Sequence, residues 1–96
     1  MDIGRVIGSV VATTRTAGLD GRSLRLVRPA TETEEDDGSA FVAVDRVGAG
    51  TGELVLIVRG SAARAAAGDD RADVDATIVA IVDRIDVDGS PTYRKA

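Results

Sequence analysis

The chain has 96 residues, enough for one domain and no second. Its 16 acidic residues outnumber 12 basic ones for a net charge of −4, which disfavours general binding to phosphate backbones. Cys and His are both absent, which excludes disulfides, thiolate and imidazole catalysis and every Cys/His metal site. With one Phe, one Tyr and no Trp, a core must be built from Val, Ile, Leu and Ala. A chain of this size buries only about 60–65% of the surface its unfolded form exposes. Small aliphatic domains of this kind complete their burial by oligomerising, and an oligomer is expected here.

The N-terminal "MDIGRVIGSVVATTR" lacks the charged and long apolar regions of a signal peptide. No segment reaches the ~20 apolar residues of a membrane span. These features predict a soluble, cytosolic chain with no membrane partner. The first apolar run, "RVIGSVVAT" (5–13), reads as a strand. Asp20-Gly21 is a tight-turn signal, and "SLRLVR" (23–28) follows it. There Leu24 and Leu26, with Arg28, alternate with Ser23, Arg25 and Val27, the pattern of a half-buried strand. "PATETEEDDGS" (29–39) is acidic and without periodicity, so a solvated, mobile connection is expected; it lacks the ligand spacing of a calcium loop.

Two more strands, "FVAVD" (41–45) and "ELVLIV" (53–58), flank "GAGTGE" (48–53). "GSAARAAAGDD" (60–70) is the one helical stretch, with Ser61 as expected N-cap and Gly68 at its end. "ATIVAIVDRI" (76–85) reads as a fifth strand. Both it and "LVLIV" are apolar on two faces, as in a strand covered by a core within and a neighbouring subunit without. The tail 87–96 carries a turn signal at Asp88-Gly89 and is placed to add a short strand or to fray. The fold expected is mainly all-β, a small five-stranded barrel resembling an OB-fold with one short helix, over residues 1–86.

The glycine loop invites a phosphate, but its context refuses one. A dinucleotide fingerprint needs Gly-x-Gly-x-x-Gly ahead of a helix; Gly48, Gly50 and Gly52 are spaced otherwise, and a strand follows. A P-loop needs a Lys, and Lys95 is the only one. The glycines are instead expected to supply positive φ and close backbone approach, at Gly50 in particular. Asp45, Asp75 and Asp83 fall at strand boundaries, where Asp bonds nearby backbone N–H groups. Nothing in the pattern forms a catalytic, cofactor or metal site, and no enzyme is predicted. A barrel of five strands also fits a single-stranded nucleic-acid binder, although two aromatics make no stacking platform and the arginines are scattered.

In order and spacing, "GRVIGSVVAT", "GLDGRSLRLVRP", "VAVDRVGAGTGELVLIVRGSAAR" and "VDATIVAIVD" resemble the bacterial microcompartment vertex proteins, the pentameric shell proteins of EutN/CcmL type. The resemblance spans residues 1 to about 86 and implies a homopentamer that caps the vertices of an icosahedral shell. It also implies hexameric and trimeric shell partners, a bacterial cytoplasmic location within that shell, and no chemistry. By position, Gly48, Ala49, Gly50, Gly52 and Glu53 match the family's loop, and Gly60, Ser61, Ala63 and Arg64 match the segment opening its helix. Asp75, Ala76, Ile78, Ile81, Val82 and Asp83 match a C-terminal strand that in the family packs near the subunit boundary. Arg64, on a short helix, is expected to pair across subunits. The chain departs from the family at Ala62, at Ala80 and in its acidic 31–38 loop.

Overall fold

The computed structural model describes residues 1–68 and 73–96. Strands β1 (Asp2–Val10), β2 (Ser23–Pro29), β3 (Phe41–Asp45), β4 (Leu54–Arg59) and β5 (Ala76–Ile81) close a barrel in the order β1-β2-β3-β5-β4. All pairings are antiparallel except β3 with β5, which meet in parallel at only Val44↔Thr77 and Asp45↔Ile78. This is the five-stranded Greek-key architecture of an OB-fold. Helix α1 (Gly60–Ala66) follows β4, and β6 (Arg84–Val87) pairs with β7 (Ser90–Arg94) as a separate hairpin.

Side-chain alternation divides the barrel wall into an inner and an outer face. Val6, Val27, Ala43, Val55, Ile57, Ala76 and Ile78 fill the interior, with Phe41 and Ile81 packed against them. A second cluster lies outside the wall, where α1 sets Ala63 and Ala67 on Leu24, Val44, Val74 and Val58. The buried Thr77 hydroxyl donates to the Ala63 carbonyl at 2.7 Å and ties helix to barrel. The outer side of these two-faced apolar strands is therefore covered in part by the chain's own helix. The alternation in β2 sets its leucines on the outer side. Arg25 and Val27 are on the inner face, while Leu24 is outside under the helix and Leu26 is outside and half-buried.

Several boundaries differ from the sequence reading. β1 begins at Asp2 rather than at 5, because Asp2–Arg5 pair with Ile57–Leu54 of β4. The run 76–85 is not one strand: it breaks at Val82, whose N–H donates to the Leu54 carbonyl, and β6 starts afresh at Arg84. The 86/87 boundary drawn between barrel and tail thus falls inside β6. The tail forms β7, joined to β6 by Asp88 and Gly89 with φ of 51° and 80°, the pair of positive values that a type I′ turn requires.

Ser61 is not the N-cap of α1. Arg59 occupies that position without a side-chain cap bond, and Ser61 lies within the first turn. The C-terminal stop is as read: Gly68 has φ of 89°, and its N–H bonds the Ala65 carbonyl. Arg22 and Arg46 both donate to the Ala67 carbonyl, placing two cations at the negative end of the helix. Asp69 and Asp70, in the stretch read as helical, lie outside the described residues.

Candidate functional site

The loop from Val47 to Glu53 is organised by one carboxylate. Asp45, at the end of β3 with its side chain 1% exposed, accepts the N–H groups of Val47 and Gly48 at 3.0 Å and of Ala49 at 2.9 Å. Arg25 Nε lies 3.3 Å from the same carboxylate and donates to the Ala49 carbonyl at 3.0 Å. A buried charge is tolerable only when its lone pairs are filled and its charge is paired, and here three backbone N–H groups do the first and the Arg25 guanidinium the second. Ala49 is pulled into the barrel core by this arrangement. The strand-boundary role read for Asp45 is what it plays; the Arg25 contact had no signal in the sequence, because it crosses from β2.

Gly48 and Gly52 adopt φ of 75° and 94°, the region that a Cβ disfavours. Gly50 does not, contrary to the expectation placed on it; a Cβ there would meet only Glu53 Oε1, at 3.3 Å. Instead its N–H donates to that oxygen at 2.6 Å. The other carboxylate oxygen of Glu53 holds Lys95 Nζ at 2.7 Å, and the Lys95 N–H donates to the Asp83 carbonyl. The bond from Lys95, with help from the Gly50 N–H, holds Glu53 below the ordinary carboxylate value, and Glu53 raises Lys95 in turn. Lys95, read as part of a loose tail, is thus tied to the glycine loop.

Arg5 extends the same assembly. It donates to the Gly52 carbonyl at 2.6 Å and pairs with Glu34 at 2.7 Å. The acidic stretch read as a mobile connection is a turn closed on itself, with Thr31 Oγ1 accepting the N–H groups of Thr33 and Glu35. Thr92 of β7 donates to the Glu32 carbonyl, so the tail hairpin rests on this turn. Among the described residues, no group of three or more His, Cys, Asp or Glu side chains is placed to hold a metal ion. No helix among them is long and apolar enough to cross a membrane.

The remaining sequence candidates are spread over the surface and core. Ser61 is exposed and Arg64 half-buried on α1. Asp75 is exposed and its carbonyl accepts the Gly60 N–H. Ile78 is fully buried in the barrel interior, so its side chain serves the subunit itself, and Ile81 packs against the same core. Asp83 is exposed beside the break after β5. Both aromatics are engaged: Arg59 lies 3.7 Å over the Phe41 ring, and Tyr93 is 8% exposed.

On the outer wall the strand register builds an apolar row. Leu56 of β4 sits between Ile3 of β1 and Ala80 of β5, and all three are half-buried. They lie on the outer face because their neighbours Gly4, Val55, Ile57 and Ile81 face the core.

Residues 1–83, ending just before β6, match the family described as ethanolamine utilisation protein EutN/carboxysome. The chain belongs to the EutN/CcmL family. Among EutN/CcmL relatives, it is 45% identical to the bacterial microcompartment shell vertex protein GrpN of Rhodospirillum rubrum (strain F11), over 90% of this chain and 97% of that one. The solved structure of the pentameric microcompartment shell protein GrpN from Rhodospirillum rubrum superposes with a TM-score of 0.83 at 42% identity, over 91% of this chain and 99% of that one. The structure of Gloeobacter violaceus CcmL superposes with a TM-score of 0.93 at 41% identity, covering 99% and 98% of the two chains. A structure of the ethanolamine utilization protein EutN superposes with a TM-score of 0.94 at 38% identity over the whole of both chains. The agreement with CcmL and EutN includes the C-terminal hairpin, which lies beyond the matched family segment.

Proposed function

We propose that this chain is a structural shell protein whose five copies close into a ring that caps the vertices of a bacterial microcompartment. The observation that carries this reading is the pentameric GrpN structure, which matches the chain at 42% identity over 91% of its length. A half-buried apolar row on the outer wall, left uncovered by the chain's own helix, supports it by giving a subunit contact something to bury. In this reading the chain performs no chemistry, and its role is to supply curvature. It sits in the bacterial cytoplasm as part of the shell, among hexameric and trimeric shell proteins that tile the facets.

Native mass spectrometry of the purified chain tests the assembly. A dominant species of five chains at micromolar concentration is expected, and a monomer or dimer there rejects the proposal. Co-expression with hexameric shell proteins, followed by electron microscopy, tests the placement: closed shells should form with the chain and open sheets or tubes without it.

A further inference from the structure

Two glycines interrupt β1, and the chain accounts for only one of them. At Gly4 a Cβ would lie 2.6 Å from Val27 Cγ1 and 2.7 Å from Ile57 Cδ1, so the packed interior itself demands glycine. At Gly8 a Cβ would meet no atom within 4 Å, and φ is not positive. A bulge lies between Val6 and Gly8, but the residue it leaves without a partner is Ile7, while Gly8 keeps its pairing with Leu26. Glycine inside a strand weakens it, and the close approach of another backbone is one of the reasons a strand keeps it; at Gly8 the space for such an approach is open.

The surroundings of Gly8 are those of a contact. In register it sits beside Leu26, and Leu26 sits beside Val42. This makes a second apolar row on the outer wall, across β1, β2 and β3. Val42 is 43% exposed, and among the described residues it is the one large apolar side chain of the barrel strands left so open. The row meets β1 at Gly8, whereas the Leu56 row meets it at Ile3, so the two are separate patches. One is bulky, with Ile and Leu; the other has a hollow where Gly8 lacks a side chain.

A closed ring of identical copies needs two different patches on each copy, one meeting the other on the next. We propose that the Gly8–Leu26–Val42 row receives the next copy's Ile3–Leu56–Ala80 row, with Gly8 kept bare so that the two barrel walls meet. The inference rests on the pentameric reading above and names the surfaces that make the ring.

The chain's lack of cysteine makes the test clean. Val42→Cys and Leu56→Cys are made singly and together, and each protein is treated with a short bismaleimide cross-linker. The double variant should give a denaturing-gel ladder running up to five chains, and each single variant should stay monomeric on the same gel. Cross-linking of a single variant to itself, or no ladder from a double variant that native mass spectrometry shows to be pentameric, overturns the pairing. Gly8→Ile is the second arm. Ile suits a strand, so circular dichroism should stay native-like, while the five-chain species is lost in favour of monomer. A pentameric Gly8→Ile protein overturns the role of Gly8. A wild-type chain that is itself monomeric would instead reject the pentameric reading.

Discussion

Glu53 and Lys95 form a 2.7 Å ion pair that fastens the end of β7 to the glycine loop. The same glutamate caps the Gly50 N–H, so one side chain serves both the local turn and a contact with the far end of the sequence. Four N–H groups of the loop are taken by the protein's own carboxylates: Asp45 accepts those of Val47, Gly48 and Ala49, and Glu53 accepts that of Gly50.

The pair dictates a pH window. Glu53 is held below its ordinary value of 4.5, so its contribution is complete above that value and is lost as pH falls through the folded one. Lys95 is held above its ordinary 10.5, so its contribution is complete below that value and is lost as pH rises through the folded one. In Lys95→Met the Glu53 carboxyl should titrate closer to 4.5 by NMR. A Glu53 titration that does not move would show the pair to be absent in solution.

Asp45→Ala should be among the most damaging single changes. It leaves the N–H groups of Val47, Gly48 and Ala49 without their acceptor and Arg25 without its counter-charge. Val47 and Gly48 are exposed and can bond water instead, but the Ala49 N–H is buried, and leaving it unsatisfied should cost about 1–3 kcal/mol in urea unfolding. Amide exchange at Val47 to Ala49 should accelerate even where the barrel stays folded.

The three loop glycines should separate under alanine substitution. Gly48→Ala and Gly52→Ala place a Cβ in the left-handed region and should each cost about 1–2 kcal/mol. Gly50→Ala carries no such strain and should cost less than either. Chemical denaturation of the three variants side by side measures the order, and equal losses would contradict the backbone geometry.

Ile78→Val tests the assignment of that residue to the interior. A fully buried side chain that loses one methylene should cost about 0.5–1.5 kcal/mol, with the oligomeric state unchanged by native mass spectrometry. Dissociation at unchanged subunit stability would place Ile78 at the interface instead.

Much of this architecture was legible in the residues. β-branched runs marked the barrel strands, Asp20-Gly21 and Asp88-Gly89 marked turns, and Gly68 marked the end of the helix, because each depends on local backbone preference. The quoted motifs also carried the family, since order and spacing survive without knowledge of any contact. The short break at Val82 and Asp83 was not legible, because where β5 leaves β4 and β6 turns to pair with β7 is set by partners distant in the chain.

What the sequence determined by itself was therefore most of the elements and the kinship with EutN and CcmL. Tertiary structure decided which side of each strand is inside. Apolar Leu24 and apolar Val27 are indistinguishable in pattern, yet closure of the barrel puts Val27 in the interior and leaves Leu24 for the helix to cover. It likewise decided which glycines are needed and why. Gly4 and Gly8 look alike in "DIGRVIGSV", but one faces a packed core and the other an open wall, a difference set by the strands beside them and not by their own neighbours in the chain.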